Sequence, residues 1–507
     1  MSKALLLSCA FFLLGCPSPR VLPLGKRIPA RVLYQQRADI GAVVEKALAK
    51  KDTARAFYAL ELLKTRPYAA QVLSSRATVA PPALRDLRGL FAKLYIGGNG
   101  TNRGTRGLTR VRVAPVLRAH MAVQDEQFWR WLRLFELRTN PLNATTRGLP
   151  YDYAARYSYG VSSAAAARLL FSKGEAFVSY YVGRTHTWAF VLKDARLRVR
   201  KLPTGNSAMR AQVERFLKAL RTPPATAGAA RAWVVHAKRV YDMVWKPLER
   251  DLAGNVAAVF VSTHGFLSNL PFSALVDRPG AVLLDRLRIA YVPSVSVYRQ
   301  TLARPLLNKP PRVLSIGNAM FPGPLKPLRF ADSEAVTVSE VFDGSRLLRR
   351  KQATETRVRR LIPGYNVLHF ATHGVLFGDF APGASSLMLT ADAAHDGFLS
   401  ATEVAAMDLS HVYVAVLSAC ETSVNDPSSN LGSLTGAFLS AGVPSVVGSL
   451  WMIHDAATTV MMIDFYSQVL EVGAGEALRR AQLRLRRSKR FAHPYFWAPI
   501  VLFGWAK

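Results

Sequence analysis

Apolar and polar positions change rhythm twice along this chain. From Asp39 to Leu94, apolar residues recur at helical spacing in "DIGAVVEKALAKKDTARAFYALELLKTRPYAAQVLSS", which predicts helices. Ala80–Pro82 ("APP") breaks the pattern. More helix is expected through "VQDEQFWRWLRLFEL", with no convincing fixed repeat period. Between these stretches, "IGGNGTNRGTRG" is rich in glycine, but no strand precedes it and no Gly-Lys-Ser/Thr follows, so it is not a phosphate loop. Near Tyr159 the character changes. "EAFVSYYVGRTHTWAFVL", Glu175 to Leu192, predicts two strands joined by a polar turn at Gly183 to Thr185. After "RVLSIGN", strand and helix patterns alternate as far as "FWAPIVLFGW". That alternation predicts an α/β fold: a mostly parallel sheet with helices on both faces, preceded by an α-helical N-terminal region.

Two of the predicted strands end in reactive residues. "NVLHFATHG" runs from Asn366 into Gly374, and "HVYVAVLSACETS" runs into Cys420. Each contains an apolar strand of the buried, parallel type. Ligands of open α/β sheets bind beyond the carboxyl ends of the strands. If the two strands are parallel neighbours, His373 and Cys420 share a rim and form the pair that thiol catalysis needs. The imidazole would take the thiol proton, the thiolate would attack a carbonyl carbon, and the imidazole would protonate the leaving amine. The backbone N–H groups of Gly374 and Cys420 are candidate oxyanion donors. Taken alone, a cysteine at a strand end is more often a small buried hydrophobe. His369 and His373, four apart, would suit a metal pair on a helix. The segment reads as a strand and lacks the glutamate of a zinc hydrolase motif, so no metal is expected and His369 reads as a hydrogen-bonded core residue. "VFVSTHG" places His264 and Gly265 after another apolar strand with no cysteine-bearing strand close behind, which makes His264 a decoy.

"VLHFATHG", "VAVLSACETS", "LTGAFLSAGVPSVVGSLWMIHDAATTVMMIDFYSQVL" and "HPYFWAPIVLFG" resemble, in order, the motifs of the CHAT domain. That is a caspase-like peptidase domain of the clan that includes caspases, separase and gingipains. "FSKGEAFVSYYVG", "LSNLPFSALVD", "IAYVPSVSVYRQ" and "LRFADSEAVTVSEVF" look like its N-terminal half, so the resemblance covers about Val161 to Gly504. It implies a cysteine endopeptidase with a His373–Cys420 dyad, Gly374 helping to form the oxyanion hole, and no cofactor. "SVVGSLW" matches the family strand lining the pocket for the residue before the cut, with Ser449 and Trp451 on it. Asp455 just beyond would select Arg or Lys there by charge pairing, or would instead cap the following helix. Asp379 is a weaker pocket candidate. The resemblance further implies a protein or peptide substrate and an activating protein partner. The same resemblance divides the chain into a non-catalytic half, residues 161–307, and a catalytic half, residues 308–507, after a helical region at 39–160. "STHGFLSNLPF" departs from the family's usual acidic-Gly turn, and the usual array of helical repeats before the domain is not recognisable. A catalytically silent scaffold of the same fold, acting through protein contacts, is the alternative.

Composition adds a compartment. Of three cysteines, Cys9 and Cys16 lie in "MSKALLLSCAFFLLGCPSPR". Its apolar run is too short to span a bilayer comfortably, and "LLGC" resembles a bacterial lipoprotein cleavage box. Residues 1–16 are therefore expected to be a signal peptide ending at a lipidated Cys16, with residues 17–38 a Pro/Arg-rich tether. This predicts a cell-envelope protein held at a membrane surface, or, with an ordinary signal, a secreted one. Cys420 would be the single free thiol. The formal net charge of +34 favours acidic partners or reflects scattered arginine. In "EALRRAQLRLRRSKR", Ala477, Leu478, Ala481, Leu483 and Leu485 form an apolar stripe, so the basic face of this helix reads as solvated or facing lipid rather than as binding nucleic acid.

Overall fold

Strands that are apolar along their whole length leave no face for water, so they belong inside a sheet covered on both sides. The computed structural model describes residues 41–61, 63–64, 170–222, 229–302, 310–320, 328, 330–375, 385–419, 434–451 and 453–505. Its strands are β1 (Glu175–Val182), β2 (His186–Lys193), β3 (Arg196–Gly205), β4 (Ala258–Ser262), β5 (Val276–Arg278), β6 (Ala281–Val282), β7 (Arg288–Tyr291), β8 (Val313–Gly317), β9 (Arg346–Arg349), β10 (Val367–Ala371), β11 (Gly374–Val375), β12 (Ser386–Met388), β13 (Phe398–Ser400), β14 (Val414–Leu417), β15 (Ser445–Ser449) and β16 (Ile500–Gly504). The helices are α1 (41–49), α2 (53–61, with Leu63 and Lys64 also helical), α3 (Asn206–Arg221), α4 (Ala229–Val244), α5 (Val295–Leu302), α6 (Ala331–Ser339), α7 (Glu355–Leu361), α8 (Ala401–Ala406), α9 (Leu434–Ala441), α10 (Asp455–Tyr466), α11 (Val469–Arg487) and α12 (Pro494–Trp497).

One 11-stranded sheet runs in the order β3-β2-β1-β4-β7-β16-β15-β14-β10-β8-β9. It is parallel except at β1–β2, β2–β3 and β15–β16. Two parallel blocks therefore meet at one antiparallel seam, and β16, from the far end of the chain, completes the first block. The α/β fold with a mostly parallel sheet is the one the alternating pattern predicts. Side-chain alternation along β10 shows the two covered faces. His369 meets Tyr466 of α10, and Ala371 packs with Ala331 and Ala335 of α6. Phe370, between them, meets Phe438 of α9, with ring centroids 5.7 Å apart. The hairpin over Glu175 to Leu192 is also as predicted, β1 and β2 pairing antiparallel.

The seam depends on a glycine. Gly504 pairs with Ser445, and Trp505 N–H donates to Pro444 O at 2.8 Å. Its φ is +93°, and a Cβ there would stand 2.1 Å from Pro444 O. The helical N-terminal stretch docks on the first block. Phe57 meets Phe190 at 6.1 Å, and Tyr181 Oη donates to Gly41 O. Lys64 is buried, and its Nζ donates to Ser179 Oγ (2.8 Å), Ser262 O (2.9 Å) and Ser262 Oγ (2.9 Å). Burial lowers its pKa to about 7, against the opposing charge of Glu61. The Gly-rich stretch at Ile96 to Gly107, the tether and most of the helical region lie outside the described residues.

We expect Gly504→Ala to lower stability by about 2–4 kcal/mol, because it combines a left-handed backbone with a backbone clash; an unchanged urea midpoint would contradict this. A second expectation concerns Lys64. Between about pH 7 and 10.5 the unfolded chain holds the Lys64 proton and the folded chain does not, so folding gains stability as pH rises across that window. The thermal midpoint of the native chain relative to Lys64→Met should therefore rise from pH 6 to pH 9, and a flat difference would refute the assignment.

Candidate active site

The rim is set by register. Val367 pairs with Val414 and Phe370 with Leu417, so β10 and β14 are parallel neighbours. His373 follows Phe370 by three residues, and Cys420 follows Leu417 by three. The strand condition stated from sequence is therefore met, while Cys420 itself lies outside the described residues, as do Cys16 and Asp379.

The end of β10 is held from several sides. Asn318, at φ +45°, donates its N–H to Ala371 O at 2.8 Å. Gly317 lets α6 close under the strand ends, since a Cβ there would stand 2.5 Å from Ala335 Cβ. Thr372 Oγ1 donates to Met388 O (2.6 Å), and Met388 N–H donates to His373 O (2.9 Å). His373 is half-buried. Gly374 pairs with Leu387 in the small sheet β11-β12-β13. In an antiparallel ladder, the Met388-to-His373 bond makes Gly374–Leu387 the non-hydrogen-bonded pair, which turns the Gly374 N–H away from β12.

His369 is fully buried, as its reading as a core residue requires. Its Nδ1 shares a hydrogen bond with Tyr466 Oη at 3.2 Å, and burial with the Glu334 charge keeps that hydroxyl protonated well above its ordinary range. His369 Nε2 stands 3.3 Å from Glu334 Oε1, an ion-pair distance without hydrogen-bond alignment. Among the described residues, no three His, Cys, Asp or Glu side chains converge as a metal site. The decoy His264 accepts a hydrogen bond at Nδ1 from Val182 N–H (3.0 Å) and stacks on Tyr181.

The pocket candidates differ in what the structure gives them. Ser449, at the end of β15, is fully buried and donates to Ala419 O at 2.7 Å. It holds the backbone next to Cys420, a positioning task that the sequence did not reveal. Trp451 is 2% exposed, its Nε1 has no partner among the described residues, and the Arg221 guanidinium lies 5.8 Å from its ring centroid. Asp455 opens α10, but the helix cap is His454, whose Nδ1 accepts from Ala457 N–H. Helix capping is thus assigned to the neighbouring residue.

A family model described as the CHAT domain matches residues 235–505. The chain belongs to the CHAT-domain family. It is 27% identical over 320 residues to tetratricopeptide repeat protein 28 of Homo sapiens and to that of Mus musculus. That alignment covers 53% of this chain but 13% of each relative, so the chain spans a small part of their length. Among solved structures, the chain is similar to the Saccharomyces cerevisiae separase–securin complex, with a TM-score of 0.43, 11% identity, and coverage of 67% of this chain and 30% of that one. It is also similar to the Arg-specific cysteine proteinase gingipain R, with a TM-score of 0.38, 11% identity, and coverage of 59% and 74%. Within this CHAT domain, β4 to β16 fall inside the matched residues, and β1 to β3 extend the same sheet beyond them.

Ser449→Ala should leave the Ala419 carbonyl without its donor, at a cost of about 1–2 kcal/mol, and should change the alkylation rate of Cys420 by iodoacetamide. If stability and alkylation rate both match the native chain, Ser449 has no positioning role.

Proposed function

We propose that this chain is a cysteine endopeptidase of the CHAT, caspase-like type. The Cys420 thiolate attacks the substrate carbonyl carbon after His373 takes its proton. The tetrahedral oxyanion is met by the N–H groups of Gly374 and Cys420. His373 returns the proton to the leaving amine, and water then releases the acyl group by the same route. The observation that carries this reading is the parallel pairing of β10 with β14, which supports a shared rim for the two residues. The Gly374 N–H, turned away from β12, supports the oxyanion role.

Asp455 would favour Arg or Lys before the cut, with Trp451 and Asp379 near the pocket and Ser449 behind it. Trp451 already has Arg221 close to its ring, so a cationic substrate side chain needs the Asp455 carboxylate as its partner. An activating protein partner and a lipid anchor at Cys16, holding the protein to a membrane of the cell envelope, complete the proposal. Among the described residues no helix is long and apolar enough to cross a membrane. The rival, a silent scaffold acting through protein contacts, draws on the curated relatives, which are named for tetratricopeptide repeats.

The test is a peptide-library cleavage assay on the full chain. Cys420→Ala should abolish cleavage, His373→Ala should slow it at least about 100-fold, and Asp455→Ala should remove any preference for a basic residue before the cut. If Cys420 reacts with thiol probes no faster than a free model thiol, and no Cys420-dependent cut appears, the scaffold reading replaces this one.

A further inference from the structure

Beyond the carboxyl ends of β8 and β9 lies an open cavity of about 600 Å3, lined by Met320, Asp332, Arg349, Arg350, Lys351 and Gln352. Three cations and one carboxylate line it, and two of the cations pair with that carboxylate. Asp332 Oδ2 accepts from Arg349 Nη1 (3.4 Å) and Arg350 Nη2 (3.2 Å), while its Oδ1 is buried without a partner among the described residues. The two arginine side chains remain 49% and 64% exposed. Arg350 holds a left-handed backbone, φ +48°, and Met320 is 48% exposed. Both walls are fastened to one residue. Thr390 Oγ1 accepts from Met320 N–H (3.0 Å) and donates to Arg350 O (2.8 Å). Thr390 lies two residues after Met388, whose N–H holds the His373 carbonyl. The cavity is thus tied to the same backbone segment as the candidate base.

We propose that this cavity is a subsite for an acidic residue of a protein substrate, on the side of the cut that leaves with the amine. The inference rests on the Cys420–His373 reading and deepens it. Strand order supplies the direction: pocket strand β15, nucleophile strand β14, base strand β10, then β8 and β9. The imidazole that protonates the leaving amine stands on the cavity side of the nucleophile, so the departing segment runs over β8 and β9. With strands ~4.8 Å apart and ~3.3 Å per extended residue, the cavity lies about two to four residues past the cut. Guanidinium groups suit a carboxylate. A nucleic acid fits less well, since Asp332 repels a phosphate chain and, among the described residues, no aromatic ring lines the cavity to stack a base.

The experiment compares quenched peptides that are identical before the cut and carry Glu, Gln or Lys at the second to fourth positions after it. Exposed charge pairs are individually weak, so a preference for Glu of ~3–10-fold in kcat/KM is expected, falling with salt. It should vanish or reverse in the Arg349→Glu, Lys351→Glu double variant, whose Gln-peptide rate should stay unchanged. Cys420-dependent cleavage with equal rates for all three peptides overturns the inference and leaves the peptidase reading intact. Should no cleavage occur, fluorescence anisotropy of a labelled Glu peptide on the Cys420→Ala chain decides. Binding lost in the double variant sustains the subsite, whereas absence of binding, or tighter binding of a single-stranded RNA oligonucleotide to the same residues, overturns it.

Discussion

The rim depends on one constraint, the register of β10 between β8 and β14. All three strands are fully buried, so their hydrogen-bonding edges must be satisfied by one another. A one-residue slip of β10 would turn Phe370 toward Glu334 and Tyr466 and send His369 to the α9 face, where Phe438 now sits. That cost fixes where the strand stops, and therefore the level of His373. The bonds around Asn318, Thr372 and Met388 act on a strand already placed. They define the last residues rather than the fold.

The first block of the sheet repeats this arrangement with a different outcome. β4 and β7 are parallel neighbours, and Val261 pairs with Tyr291 as Phe370 pairs with Leu417. Three residues beyond Val261 is His264, in "STHG", as His373 is in "ATHG". Three beyond Tyr291 is Ser294, at the position corresponding to Cys420. Ser294 is fully buried, and its Oγ accepts from Val297 N–H at 3.2 Å in the first turn of α5. His264 accepts the Val182 N–H, and Lys64 fills the space against Ser262. The same backbone plan thus serves helix capping and docking in one half, which explains physically why His264 reads as a decoy.

What was legible in the sequence follows from distance along the chain. Buried parallel strands announce themselves as apolar runs, so β10, β14 and their polar ends could be read directly. The apolar stripe of α11 was equally local, and Ala477, Leu478, Ala481, Leu483 and Leu485 are all buried. Partners far apart in sequence were not legible. Nothing near Ser449 announces that its hydroxyl holds Ala419, and nothing near Lys64 announces Ser179 and Ser262. The cap of α10 was misjudged by one residue because an aspartate is the stronger capping type, yet His454 occupies the extended position that the cap requires. The likeness of the two halves has no fixed period along the chain, because the segments between the strands differ in length and only the strand ends correspond.

The net charge of +34 shows the same limit from the side of electrostatics. Counted from composition, the basic helix α11 is the conspicuous cationic element. In the fold its arginines act as bolts: Arg479 donates to Leu284 O and Asp285 O, Arg486 to Asp285 and Gly280 O, Arg480 to Glu476, and Arg484 to Asp464. Asp251 likewise takes both Arg198 and Arg200. Arg479 and Arg486 fasten one half of the chain to the other, and charge that is matched by carboxylates and carbonyls within the fold has little left for a partner. Charge that outnumbers its acids at a rim is a different physical object, because its field is directed outward from a fixed place. The partner of a strongly basic protein is therefore to be sought where cations exceed their local acceptors, and composition alone does not reveal where that is.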